Sequence, residues 1–240
     1  MKTNRNILSS TFFVASLAFG LSGSLHAASI LSGSLSLDYD QTTFGFLGLT
    51  TINSFNQATS NSITNAQVVA NTGTTTSWTG INYGVNPTTP LTDPTGRNLQ
   101  ETNFTYNPAN LTGTASGAIG IGGVTRWNGF STFVLGDYSV QYDALRAGGV
   151  YSGWYLTNNF DFPAIAFDLA NVTTNLLGDG FTLSGDLYVK PGAPLTGFGF
   201  PGDTDYGNFS LIASTIPEPS AAMLGALPLL ALLSRRRRNG

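Results

Sequence analysis

Apolar and polar residues alternate with a period of two along much of this chain. Leu35, Leu37 and Tyr39 alternate with Ser34, Ser36 and Asp38; Phe181, Leu183, Leu187 and Val189 alternate with Thr182, Ser184, Asp186 and Tyr188; Phe209 and Leu211 alternate with Asn208 and Ser210. Successive side chains of a strand point to opposite faces, so each run predicts a strand with one buried and one solvated face. Further runs at 43–49, 77–83, 102–106, 118–127, 132–140, 150–157 and 164–172 have strand composition. Turn dipeptides separate them: Asn86-Pro87, Asp93-Pro94, Asn107-Pro108, Asn128-Gly129, Gly148-Gly149, Asp179-Gly180 and Pro191-Gly192. The one helical hint is Gln141 to Ala147, which ends at Gly148-Gly149. Many short strands with almost no helix predict an all-β fold, a single β-sandwich or jelly-roll-like domain over residues 28–215.

The two ends break the alternation. Met1 to Asn6 carries Lys2 and Arg5, Ile7 to Leu21 is largely apolar, and Ser22 to Ala27 turns small and polar. That is the arrangement of a secretory signal peptide, in which a charged start stays cytosolic, an apolar run inserts and small side chains fit the peptidase. Cleavage is expected after Ala27, with Ala28 as the second choice, so the signal occupies 1–27. A retained anchor is the weaker reading. Ser9, Ser10, Ser16 and Gly20 interrupt the run, which falls short of the ~20 residues a span requires.

At the other end, Ile216-Pro217-Glu218-Pro219-Ser220 precedes an apolar stretch from Ala221 to Leu233, followed by Ser234 and the basic cluster Arg235, Arg236, Arg237 and Arg238. The prolines hold the chain extended before the stretch. As a helix rising ~1.5 Å per residue the stretch reaches ~20 Å, short of a ~30 Å hydrocarbon core, so its arginines must snorkel if it is to span. The positive-inside rule keeps those arginines cytoplasmic. With an exporting signal in front, this short transmembrane-like helix implies transient anchoring in the inner membrane with the body outside.

Pro-Glu-Pro, short apolar helix and terminal arginines, in that order over 216–240, resemble the PEP-CTERM sorting signal of Gram-negative bacteria. The resemblance implies that Pro217, Glu218 and Pro219 are recognised by an exosortase, a membrane-embedded cysteine transpeptidase that removes the tail and passes the protein to the surface. It further implies the Sec translocon and signal peptidase as partners on the way. Proteins with this signal are typical of bacteria that make exopolysaccharide and biofilm, and are mostly rich in Thr, Ser and Asn and poor in Cys, a bias this body shares. Pro228 inside the apolar helix departs from a regular one. A plain, unprocessed tail anchor is the alternative, and so short an apolar stretch holds a membrane weakly.

Composition narrows the chemistry of the body. The chain has no Cys, and its one His, His26, lies in the signal, so the mature protein lacks thiol and imidazole. That excludes disulfides, a Ser-His-Asp triad and Cys- or His-ligated metals. Residues 28–215 hold twelve Asp and Glu against Arg97, Arg126, Arg146 and Lys190, a balance of −8, while the basic residues of the ends bring the whole chain to −3. Four dispersed cations make no phosphate-binding patch, so no nucleic-acid partner is expected.

Two candidate sites stand out. Asp203 and Asp205, in Gly202-Asp203-Thr204-Asp205-Tyr206-Gly207-Asn208, place carboxylates at i and i+2 where a calcium ion could be held; the twelfth position of an EF-type loop is Ser214, so that match is incomplete. Asp38 and Asp40 repeat the spacing. The second is a set of aromatics beside Asn and Asp: Trp78, Trp127, Trp154 and Tyr155 as glycan-binding candidates, with Tyr83 and Tyr151 nearby. Sugars bind aromatic faces through their C–H surface and planar amides through their hydroxyls. Large aromatics in such folds are more often core. Glycoside hydrolysis needs a pair of carboxylates, and Glu101 stands in no recognisable motif. No catalytic residues and no obligate cofactor are therefore expected. The expectation is a non-enzymatic protein of the extracellular exopolysaccharide matrix; the alternative is a carbohydrate-binding module, calcium-assisted through Asp203 and Asp205.

Overall fold

Strand β1 (Ala28–Tyr39) buries Ala28 and Ile30, then changes phase and buries Leu35, Leu37 and Tyr39. The change is a bulge between Ile30 and Ser32, which shifts the register by one residue and keeps one face of the strand inward along its whole length. The computed structural model describes residues 27–55, 64–70, 76–88, 97–160, 162–176 and 180–217. The signal up to His26, Glu218, Pro219, the C-terminal apolar stretch and Arg235 to Arg238 lie outside these. Among the described residues no helix is long and apolar enough to cross a membrane.

Eight antiparallel strands close into a barrel. Around the ring stand β1, β3 (Ile81–Val85), β5 (Ile119–Gly122), β8 (Ser139–Tyr142), β9 (Tyr151–Asn158), β10 (Ala164–Asn175), β11 (Gly180–Val189) and β12 (Thr204–Pro217), and the short β4 (Thr105–Tyr106) pairs with the start of β1. β12 pairs with β11 on one side and with β1 on the other, from Ala28 opposite Pro217 to Tyr39 opposite Gly207. The fold is all-β, as the alternation predicts, but the main sheet closes on itself instead of stacking as two open sheets. An eight-stranded barrel is just narrow enough for its side chains to fill. Leu37, Tyr83, Ile121, Leu156, Leu169 and Leu211 are all buried in one core. Outward positions carry Ser32, Asp38, Asn171, Ser184 and Asn208, with Leu31 and Ile212 exposed among them.

A second sheet, β2 (Leu49–Phe55), β6 (Val124–Gly129) and β7 (Thr132–Gly136), packs at the end of the barrel where β1 finishes. It is built from the same chain segments as the barrel. β5 continues into β6 across Gly123, and β7 continues into β8 across Asp137 and Tyr138, so the runs at 118–127 and 132–140 are each two strands in two sheets. Gly123 is required at its corner: a Cβ there would lie 2.0 Å from Cδ1 of Tyr83. Trp127 carries the contact between the layers, stacking on Phe44 at 5.1 Å and meeting Tyr39 edge-on at 5.0 Å. The opposite face of the small sheet buries Phe55 and Val124 against Val68 of helix α2 (Asn65–Val69), whose N-terminus Thr64 and Gln67 close with a capping box.

The predicted strand at 43–49 is instead helix α1 (Gln41–Phe46). The Asp40 carboxylate accepts from the Thr42 amide at 2.8 Å and the Thr43 hydroxyl at 2.9 Å, which starts the turn. A strand would put Phe44 and Phe46 on one face; the helix buries Phe44 and leaves Phe46 87% exposed. The helical hint at 141–147 reduces to one 3-10 turn, η1 (Ala144–Arg146), because β8 runs on to Tyr142.

Candidate functional site

The loop that precedes β3 is fixed to the end of β1 by its backbone. The Tyr39 amide donates to the Trp78 carbonyl at 2.8 Å, the Gly80 amide donates to the Asp38 carboxylate at 2.6 Å, and the Ser77 hydroxyl donates to the Thr79 carbonyl at 2.7 Å. Trp78 is held partly buried, its ring 5.7 Å from that of Phe44. Across from it runs β2, an edge strand of the small sheet. Between them lies an open groove of about 540 Å³ lined by Gln41, Thr50, Thr51, Ile52, Asn53, Thr76 and Trp78. Among the described residues no charged side chain lines it. Asn53 is 9% exposed. The groove thus offers one aromatic surface, two planar amides and three hydroxyls.

The other predicted aromatics are not in this groove. Trp127 and Trp154 are interior: Trp127 joins the two sheets, and Trp154 packs inside the barrel against Phe104, Tyr142 and Phe181. Neither presents a ring face at the surface, which corrects their reading as a glycan platform. Tyr83 is also buried, its hydroxyl 2.5 Å from that of Thr125. Tyr155 is partly buried elsewhere on the barrel, under the Arg146 guanidinium at 5.1 Å from the ring centre. Arg146 is itself held by the Asp168 carboxylate through both Nε and Nη2. Burial pushes the Tyr155 hydroxyl above its ordinary pKa, and nearby Asp143 adds to the effect. A second open cavity of about 400 Å³ borders this cluster, lined by Asp143, Leu145, Arg146, Lys190 and Pro191 among others. The Lys190 ammonium is spent there on the Arg146 carbonyl at 3.1 Å and the Tyr151 ring at 5.1 Å.

The carboxylate pair Asp203 and Asp205 serves separate neighbours. Asp203, with φ +56°, accepts from the Tyr151 hydroxyl at 2.5 Å, while Asp205 accepts from the Gly207 amide at 2.8 Å. Burial raises the Asp205 pKa, and the charges of Asp186 and Asp40 add to this. Asp38 and Asp40 are occupied as well, on Gly80 and on the start of α1. Among the described residues no group of three or more Asp, Glu, His or Cys is placed to hold a metal ion. Pro217, the first residue of the sorting motif, is the last residue of β12, and Ala28, at the expected signal cleavage, is its partner across β1.

Of the groove residues, Trp78 alone is singled out by sequence. Thr50, Thr51, Asn53 and Thr76 fall in a window, 50–80, in which 18 of 31 residues are Ser, Thr or Asn, so none carries a signal of its own, and Gln41 stands alone before it. No family model, no curated protein and no solved structure matches this chain.

Proposed function

We propose that this chain is an exported, non-enzymatic surface or matrix protein, sorted and processed by an exosortase and associated with exopolysaccharide. The observation that carries the reading is the pairing of Ala28 with Pro217. The two ends expected to be cut leave the barrel side by side at one pole. Signal cleavage after Ala27 leaves β1 whole, and β12 ends at Pro217, the first residue of the sorting motif. A barrel filled with aliphatic and aromatic side chains, and faced with Ser, Thr and Asn, supports a structural role among hydrated polysaccharides. The sorting itself rests on the order of motifs at the two ends of the sequence.

Intact mass spectrometry of surface material, from the parent strain and from an exosortase deletion, tests this. The expected mature chain begins at Ala28 and lacks the arginine cluster, while the deletion strain retains the longer chain in its inner membrane. Surface protein that still carries Arg238 overturns the proposal.

A further inference from the structure

We infer that the groove between Trp78 and the edge strand β2 is a binding site for a neutral oligosaccharide. The argument starts from what lines it. One aromatic ring, the amides of Gln41 and Asn53 and the hydroxyls of Thr50, Thr51 and Thr76 face a space of about 540 Å³, within the range of small-ligand sites. A sugar presents C–H surface on one side and hydroxyls that both donate and accept at its edges. An amide matches such hydroxyls because it also donates and accepts. Asn53 is largely buried in the wall of the groove, so its amide is offered from a fixed position on β2.

Charge selects among glycans. Among the described residues no ionised group lines the groove, and the body carries −8, so an acidic polysaccharide is repelled and a neutral one is not. The walls are set before binding, since Trp78 is tied through its carbonyl to β1 and β2 is tied through its ladder to β6. Fixed walls lower the ordering cost of binding. The groove also lies at the end of the barrel where β1 finishes, away from the pole where Ala28 meets Pro217. A molecule held by its C-terminal end therefore presents it outward. The inference stands on the groove alone and does not rest on tail processing, so mass spectrometry and binding can fail independently.

The test is titration of the exported body with cello-, malto- and manno-oligosaccharides, followed by tryptophan fluorescence. Trp127 and Trp154 are buried, so quenching by a soluble agent reports Trp78. At least one neutral oligosaccharide should bind and shield Trp78. Trp78→Ala should weaken binding about tenfold, the factor that one lost aromatic contact of ~1.4 kcal/mol represents. Thr51→Arg, at an exposed position, should block the groove with no change in melting temperature, which keeps the test valid if the tryptophan variant folds poorly. No binding of any neutral oligosaccharide overturns the inference. So does binding unchanged in both variants, preference for alginate, or capture of an extended peptide along β2 in place of a sugar.

Discussion

Three tyrosine hydroxyls meet inside the barrel next to the small sheet. Tyr39 lies 3.2 Å from Tyr138 and 3.5 Å from the Thr125 hydroxyl, which Tyr83 also reaches. Burial pushes the Tyr39 pKa up to about 12 and holds Tyr83 and Tyr138 well above the ordinary value of 10.0. In the unfolded chain these groups lose their protons near pH 10. The folded state keeps them protonated, so its stability is full below pH 10 and is lost as pH rises from there through about 12. Urea midpoints measured across that window should fall steadily, and Tyr39→Phe should make the fall shallower. The sequence gives no sign of this cluster, because the four residues are far apart in the chain and Tyr is equally suited to surface or core. The same ambiguity covers the tryptophans. Ser77-Trp78-Thr79, Arg126-Trp127-Asn128 and Gly153-Trp154-Tyr155 look alike, and only packing separates the groove residue from the two core residues.

The corner where β5 passes into β6 and β7 into β8 is the most polar part of the interior. Asp137 is fully buried at φ +46° and takes Nε and Nη2 of Arg97, itself 1% exposed; it also accepts from the Gly123 amide. Asn159 donates to the Asp137 carbonyl and to Ser139, while Asn158 accepts from the Gly136 amide and donates to the Phe160 and Phe162 carbonyls. These side chains satisfy backbone groups that lose their ladder partners where the strands change sheets. Asp137→Asn tolerates the left-handed backbone but strands the Arg97 cation in the interior, so it should destabilise by about 3–5 kcal/mol. Chemical denaturation of the variant checks this. Arg97→Met in the same chain should restore part of the loss. In the sequence these strands read as two unbroken runs of strand composition; the corners show only as a change of apolar phase, from Ile119 and Ile121 to Val124 and from Phe133 and Leu135 to Tyr138 and Val140, and as Gly123 and Asp137, unremarkable residues in a chain with this much Gly and Asp.

At the scale of the whole molecule, closure depends on one strand. β12 supplies ladders to both β11 and β1, joining residues up to about 190 apart in sequence. Removing residues 204–240 opens the barrel along two edges and exposes Leu35, Leu37, Phe181 and Leu183. That truncation should abolish cooperative thermal unfolding. Removing only 218–240 should leave the melting midpoint where it was, and near-UV circular dichroism of the two truncations distinguishes these outcomes. The pairing that closes the barrel also brings Ala28 and Pro217 together at one pole and leaves the small sheet, with its groove, at the other.

By itself, the sequence determined the all-β class, the long strands β1, β10, β11 and β12 with the faces they bury, and the distinct composition of the two ends, because period-two alternation, turn dipeptides and short terminal motifs are local properties of the chain. It also determined that residues 28–215 are acidic and hold neither imidazole nor thiol. Closure of the sheet was decided only by tertiary structure, since alternation is the same in a sandwich and in a barrel. So were the helix at Gln41–Phe46, where a cap and one buried phenylalanine outweigh a strand-like pattern, and the groove, whose Gln41, Asn53 and Trp78 come together only when β1, β2 and the loop before β3 meet at the barrel's end.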